Sequence, residues 1–279
     1  MKKISRRSFL AAAGLSVAAL ALTACGGSSA STASSVASSA ASSEAASTSA
    51  AAGELTTVEA GKLTMATNAA FPPYEMTTDA GEFEGIDIET AQAIADKLGL
   101  ELQIDDMDFD AALLSVQQGK ADIVMAGVTV TDERKAVMDF SDSYATGIQS
   151  IIVPEGSDIA SPDDLAGKKI GTQRGTTGYI YCSDDFGDDN VVAYDDGLTA
   201  VQALNNGQVD AVVIDNAPAQ EFVAANPGLV ILDTSYAEED YAIGMAKGSS
   251  LEDAVNAALE ELKADGTLQS IVDKYINAN

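Results

Sequence analysis

The chain has 279 residues, with 43 acidic and 15 basic side chains and a formal net charge of −28. Nucleic acid and anionic lipid surfaces are therefore poor partners, because both repel an acidic protein. The sequence has no histidine, so a nucleophilic cysteine would lack its usual base. We expect no metal and no cofactor.

Residues 1–24 predict a secretory signal. A basic start leads into the apolar run at 9–22, which is too short and too rich in alanine to favour a membrane-spanning helix. The segment Leu22-Thr23-Ala24-Cys25 resembles a bacterial lipobox, which implies a lipid on Cys25; the alternative is a signal peptide with a chance cysteine. Removing residues 1–24 leaves 11 basic and 43 acidic residues, a net charge of −32.

Residues 25–53 predict a disordered tether. After Cys25 they are almost entirely Ser, Ala, Thr and Gly, a composition that cannot bury enough apolar surface to offset its ordering entropy. We expect a protein anchored by lipid at the outer face of the cell membrane. Cys182 is then the one cysteine left, so no intramolecular disulfide is possible and we expect a semi-buried structural residue.

From about residue 61 the chain alternates strand-like and helix-like segments. In order these are KLTMAT, IDIETAQAIADKLG, LELQID, FDAALLSVQQG and ADIVMAG. Strands interleaved with helices predict an α/β fold with mostly parallel sheets. About 220 residues of this kind make either one large domain or two lobes.

Two internal echoes favour two lobes. Residues 60–68 (AGKLTMATN) resemble 166–174 (AGKKIGTQR), and 116–127 (VQQGKADIVMAG) resemble 204–215 (LNNGQVDAVVID). In each pair a glycine closes one element and a strand begins shortly afterwards. The repeated pattern predicts two similar sheets.

Polar residues follow the predicted strands, where open α/β sheets bind ligands. Arg134 lies just beyond one strand end, and Thr131 before it predicts a helix N-cap. The guanidinium of Arg134 carries a planar fork of N–H donors, which suits a carboxylate. The alternative is a solvated helix face on which Arg134 pairs with Asp132 or Glu133.

Asp215 ends the strand VDAVVI and offers a carboxylate for an ammonium group. An N-cap role for the next helix is the alternative, and the two roles are compatible. Phe71 and Phe109 are candidates for aromatic walls of a ligand site, although each, taken singly, is more often ordinary core.

Six segments of the chain together carry a resemblance to a known family. They are AFPPYE (70–75), EGIDIETAQAIADKLG (84–99), AGVTVTDERKAVMDFSDSY (126–144), DLAGKKIGTQRGTTG (164–178), GQVDAVVIDNAP (207–218) and LKADGTLQSIVDKY (262–275). In this order they resemble the extracellular solute-binding proteins of polar amino-acid ABC importers. That family is two-lobed, with the periplasmic-binding-protein type II fold and two crossover strands. The resemblance implies lobe 1 at 61–149 plus 243–279 and lobe 2 at 150–242.

The resemblance also implies how the amino-acid backbone is bound. Arg134 and Thr129 would hold the ligand α-carboxylate with help from Thr177. Asp215 and the Gly127 carbonyl would hold the α-ammonium.

For the ligand side chain, the resemblance implies walls from Phe71 and Phe109 and selection by Asn68, Gln173 and Arg174. Relatives that take cationic or amide ligands carry an acid where this chain has Asn68, which disfavours a pocket selective for lysine or arginine. Arg174 would favour a side chain with an acceptor. We therefore expect a polar uncharged or acidic L-amino acid.

The expected function is capture of that amino acid by a monomeric lipoprotein, which delivers it to an ABC importer permease. An exported dehydratase-like enzyme of the same fold, acting on a small carboxylic acid, is the alternative; without histidine its acid or base would be Glu75 or Asp215. A surface adhesin or sensor is a third hypothesis.

Overall fold

The structure is a computed structural model that describes residues 55–276. The predicted signal, tether and lipidation site lie outside these residues. Among the described residues, no helix is long and apolar enough to cross a membrane.

The described chain alternates strands and helices as predicted. The strands are β1 Lys62–Thr67, β2 Ala70–Phe71, β3 Glu75–Thr77, β4 Phe83–Glu84, β5 Glu101–Asp106, β6 Ile123–Val124, β7 Met138–Phe140, β8 Ala145–Pro154, β9 Ile170–Gln173, β10 Val191–Tyr194, β11 Ala211–Asp215, β12 Leu229–Ile231, β13 Ala237–Tyr241 and β14 Gly244–Ala246. The helices are α1 Ile86–Leu98, α2 Phe109–Gln117, α3 Asp132–Val137, α4 Thr177–Phe186, α5 Gly197–Asn205, α6 Asn216–Ala225, α7 Glu252–Ala264 and α8 Thr267–Ile276. Short 3₁₀ turns lie at Pro162–Leu165 and Asp188–Asn190.

The strands form two main sheets, each the centre of one lobe. The first has the order β5-β1-β6-β14-β7, with β1 parallel to β5 and β6. The second has the order β10-β9-β11-β8-β12, with β9 parallel to β10 and β11, and β13 pairs with β8. A small third sheet has the order β2-β3-β4, and its strands come between β1 and α1 in the sequence of the first lobe. The predicted α/β class with two lobes is confirmed.

Glycines mark the repeated pattern in the backbone. Gly61 and Gly167, which precede β1 and β9, have φ angles of 82° and 77°. Gly119 and Gly207, which follow α2 and α5, have φ angles of 65° and 67°. Positive φ is costly for a residue with a Cβ atom, so the same backbone geometry at matching positions explains the internal echoes.

Two antiparallel crossover strands join the lobes. β8 pairs with β13 from Ala145 opposite Tyr241 to Gln149 opposite Ala237. β8 continues into the second sheet, and β13 is followed by β14 of the first sheet. β8 spans the 149/150 boundary, and the residue-level lobe boundaries given above remain a proposal.

Each sheet has its own hydrophobic core. In the first lobe, α1, α7 and α8 contribute Ile94, Leu259 and Ile271 to one cluster of buried side chains. In the second, α5 contributes Val201 and Leu204 to another. Burying a side chain of this size stabilises the fold by about 1.5–3 kcal/mol. Separate cores allow the lobes to remain intact if they move relative to each other.

Candidate functional site

A cavity lies where the ends of several strands from both lobes meet. Asn68 follows β1, Gln173 ends β9 and Asp215 ends β11. The convergence is the one expected for ligand sites of open α/β sheets. Nine of the ten predicted ligand-binding residues line it: Asn68, Phe71, Phe109, Gly127, Thr129, Arg134, Gln173, Thr177 and Asp215.

Arg134 is buried in this cavity, with 8% of its surface exposed. The Thr131 side chain accepts a hydrogen bond from the Arg134 N–H at 3.2 Å, which confirms the predicted N-cap. The guanidinium donates to the Thr129 carbonyl at 2.7 Å and to the Gly175 carbonyl at 3.2 Å. The alternative of a solvated helix face is therefore wrong.

The surroundings of Arg134 favour an incoming anion. Burial lowers the pKa of its guanidinium, the effect expected when a cation is removed from water. Its Cζ atom lies 5.3 Å from the centre of the Phe109 ring, which forms one wall. A guanidinium has five N–H donors, so donors remain for a carboxylate beside the two backbone contacts.

Helix α4 brings a second group of donors to the cavity. Thr176 is its N-cap and accepts a hydrogen bond from the Tyr179 N–H at 3.3 Å. Thr177 opens the helix, and both threonines line the cavity. N–H groups in a first helical turn lack partners within the helix and favour anions.

Asp215 is the acid predicted to bind the ligand ammonium, and only 3% of its surface is exposed. It accepts hydrogen bonds from the Ile148 N–H at 3.0 Å, from Gln149 Nε2 at 3.0 Å and from the Tyr241 hydroxyl. Its side chain makes no capping hydrogen bond to α6, so it is oriented by the crossover strands. Burial raises its pKa to about 6, and the charge of Glu239 adds to this effect.

A buried pair of acids, Glu75 and Asp87, lies under Gly127. Asp87 Oδ2 accepts hydrogen bonds from the Gly127 N–H at 3.0 Å and from the Tyr144 hydroxyl at 2.8 Å. Neither Glu75 oxygen accepts a hydrogen bond from a described residue, and Glu75 lines the cavity.

Both acids have raised pKa values. Burial and the Asp87 carboxyl raise the pKa of Glu75 well above its usual range, whereas burial raises the pKa of Asp87 to about 6. Like charges this close disfavour joint ionisation. Each carboxyl therefore disfavours ionisation of the other, and Asp87 positions Gly127 through its backbone N–H.

Two amides join the lobes across the cavity. Gln173 Nε2 donates to Asn68 Oδ1 at 2.8 Å, and Asn68 Nδ2 donates to the Met107 carbonyl at 2.9 Å. Phe71 lies nearby, with its ring centre 5.9 Å from that of Tyr74. These groups surround the space in which a ligand side chain would lie.

Arg174 is the predicted site residue that the structure places outside the cavity lining. Its side chain is 51% exposed, and Nη2 lies 3.4 Å from Asp195 Oδ1. The same nitrogen lies 3.4 Å from the Ala193 carbonyl. The proximity of Arg174 to a strand end did not bring its side chain into the site.

Several lining residues were not among the predicted ligand-binding residues. Gln149 and Tyr241 come from the crossover strands, and Glu239 lies behind the lining on β13. The run AEEDY carries a signal for Glu239, since it alternates exposed Glu238 and Asp240 with buried Glu239 and Tyr241. Strand alternation alone could place Glu239 inside, but only the pairing with β8 places it beside the cavity. The remaining lining residues are Glu75, Ala126, Thr176, Val213 and Ile214.

Comparisons with known proteins agree with the two-lobed fold. A family model described as bacterial extracellular solute-binding proteins, family 3, matches residues 63–278. The L-cystine-binding protein TcyJ of Escherichia coli is 33% identical over 226 residues, 79% of this chain and 85% of that protein.

Two solved structures are similar over most of the chain. One is the arginine-, lysine-, histidine-binding protein ArtJ of Geobacillus stearothermophilus, with 34% identity, a TM-score of 0.75, and coverage of 78% of this chain and 96% of that one. The other is an ancestral arginine-binding protein bound to glutamine, with 42% identity, a TM-score of 0.74, and coverage of 77% and 98%.

Proposed function

Because the chain belongs to the bacterial extracellular solute-binding proteins of family 3, we propose that it captures an L-amino acid outside the cell. It delivers this amino acid to the permease of an ABC importer. It acts as a monomer without metal or cofactor, is exported through residues 1–24, and is held at the membrane by a lipid on Cys25 and the tether at 25–53.

The single observation that carries this proposal is a pair of opposite charges buried in one cavity. Arg134 and Asp215 both line it, and each is more than nine-tenths buried. Buried charges are costly unless paired. An amino acid supplies both missing partners, with its α-carboxylate on Arg134 and the first turn of α4, and its α-ammonium on Asp215 and the Gly127 carbonyl.

The ligand side chain carries hydrogen-bond donors. An acidic side chain was expected because of Arg174, but Arg174 is exposed and ion-paired with Asp195. The polar groups left in the cavity include Asn68, Gln173 and Glu75, and Glu75 has no donor among the described residues. A guanidinium or a carboxamide matches this set, because Glu75 offers the carboxyl group that Asn68 does not supply. Relatives named for arginine or solved with glutamine support this choice over the expectation drawn from Asn68.

Closure of the two lobes follows from differential affinity. Arg134 and Gly127 belong to the first lobe, and Asp215 and Thr177 to the second. One amino acid therefore contacts both lobes only when they are closed, and its binding favours the closed state. The permease would recognise that closed form.

A thermal-shift screen of the purified protein against the L-amino acids and cystine tests the proposal. Ligand binding stabilises the folded state by mass action, so L-arginine or L-glutamine should raise the melting temperature while L-glutamate does not. No shift with any amino acid would refute amino-acid capture. The dehydratase-like alternative receives no support from the relatives named above, and turnover of cyclohexadienyl acids above blank would revive it.

A further inference from the structure

Glu239 is a buried acid that the proposed binding scheme does not use. It lies on the crossover strand β13, with 7% of its surface exposed, between the exposed Glu238 and Asp240. Burying a carboxylate costs free energy unless donors compensate. Its surroundings must therefore supply those donors.

Three side chains donate to one oxygen of Glu239. Oε2 accepts from the Thr129 hydroxyl at 3.1 Å, from the Thr177 hydroxyl at 3.0 Å and from Gln149 Nε2 at 3.0 Å. Thr129 follows β6 in the first lobe, whereas Thr177 opens α4 in the second. The two hydroxyl oxygens lie 3.4 Å apart, so Glu239 bonds both lobes where they meet.

These contacts determine what the two hydroxyl groups can offer a ligand. A hydroxyl has one proton and two lone pairs. Donation to a carboxylate is charge-assisted and stronger than a neutral hydrogen bond, so Glu239 takes both protons. Thr129 and Thr177 both line the cavity, and they present acceptors to it.

An acceptor suits an ammonium and opposes a carboxylate. Asp215 is linked to the same network, because Gln149 Nε2 donates to Asp215 Oδ2 as well as to Glu239 Oε2, at 3.0 Å each. The hydroxyl oxygens and Asp215 thus form one acceptor-rich wall. The ligand carboxylate is left to Arg134 and the backbone N–H groups.

We propose that Glu239 is a positioning residue of the amino-acid site, which holds the hydroxyls of Thr129 and Thr177 with their lone pairs toward the ligand ammonium. It does so in the closed form, where both lobes contribute a threonine. The site then distinguishes an amino acid from a carboxylic acid that lacks the ammonium. This inference rests on the proposed function and differs from the expectation that Thr129 and Thr177 help to hold the α-carboxylate.

A competing hypothesis predicts the opposite change in ligand affinity when the charge of Glu239 is removed. If Glu239 were an internal carboxylate competing with the ligand carboxylate for the two hydroxyl protons, removing its charge would tighten binding. It would do so equally for ligands with and without an ammonium.

Calorimetry with two matched ligand pairs tests the proposal on the full mature protein. The pairs are L-arginine with 5-guanidinopentanoate, and L-glutamine with 4-carbamoylbutanoate; each second compound lacks only the ammonium. Glu239→Gln keeps the shape and removes the charge. The ratio of affinities within a pair should fall about tenfold, the loss expected when a hydrogen bond to a charged group is weakened. Glu238→Gln removes an exposed charge from the same strand and should leave the ratio unchanged.

A double-mutant cycle with Thr177→Val isolates the route through the hydroxyl. Thr177→Val should lower the same ratio, and Glu239→Gln should lower it less in the Thr177→Val background than alone, because the two residues act as a unit. Thermal melts confirm folding, and if Glu239→Gln does not fold, Thr177→Val alone carries the ratio test. An unchanged ratio, or tighter binding of both members of a pair, overturns the proposal. Failure of the wild-type protein to bind either amino acid instead refutes the proposed function.

Discussion

Arg134 and Arg174 each follow a strand, one in each lobe, yet the first side chain is buried and the second is exposed. Arg134 lies beyond β6 and is 8% exposed, held by the carbonyls of Thr129 and Gly175. Arg174 lies directly after β9 with its side chain 51% exposed. The loop before α4 contacts Arg134, since the Gly175 carbonyl accepts a hydrogen bond from its guanidinium. The Arg174 side chain instead contacts Asp195, which follows β10.

Burial, more than position in the sequence, therefore determines how much free energy a charged side chain contributes to binding. Water screens an exposed ion pair, which contributes about 0–1 kcal/mol. A buried charge with an unmet partner contributes far more when the partner arrives. The predictions below test this contrast between Arg134 and Arg174.

Arg134→Ala should produce the largest loss. The ligand α-carboxylate would be buried without its cation, and truncating one partner of a buried charge pair costs about 2–5 kcal/mol. We expect affinity for L-arginine to fall about a thousandfold in calorimetry. Lys135→Ala, which removes an exposed cation of the same helix, serves as the control. An affinity of Arg134→Ala within threefold of the wild-type value would contradict the proposed pairing of Arg134 with the ligand α-carboxylate.

Asp215→Asn should weaken binding by about fiftyfold, since it removes the charge that pairs with the ammonium but keeps a polar side chain. Asp184→Asn removes an exposed charge from α4 and is the matched control. The same calorimetric titration measures both variants. An equal effect in the two variants would show that overall charge, and not the pair, matters.

Affinity should fall about tenfold between pH 7 and pH 5. Burial raises the pKa of Asp215 to about 6 in the empty protein, and only its ionised form pairs with an ammonium. One pH unit below that pKa about a tenth remains ionised. The charges of L-arginine do not change over this range.

The pH dependence needs its own control because the pKa of Asp87 is also raised to about 6. In Asp215→Asn the fall should largely disappear. If the variant keeps the full tenfold change, the titrating group is Asp87 under Gly127, and Asp215 is not responsible.

Arg174→Ala should have the smallest effect. Its exposed pair with Asp195 contributes little, so affinities for L-arginine, L-glutamine and L-glutamate should stay within about twofold and keep their order. A reversal of that order of affinities, measured in the same screen, would show that Arg174 helps to select the ligand side chain.

Much of the fold could be predicted because its signals are local. The strand-helix alternation, the glycines with positive φ at matching positions and the Thr131 cap each depend on a few neighbouring residues. The order of the two echoes gave two sheets for the same reason. Comparable local signals exist for Asn68, Gln173 and Asp215, because a strand end is where a ligand site of this class lies.

Local sequence patterns were enough to predict the elements, the two-lobed plan and a short set of candidate polar residues. The burial of Arg134, the exposure of Arg174 and the hydrogen bonds that Glu239 accepts from a threonine of each lobe could be known only from the tertiary structure. The physical reason is that charge, burial and hydroxyl orientation depend on what packs across a site from distant parts of the chain. Residues 129, 177 and 239 become neighbours only when two crossover strands bring the lobes together.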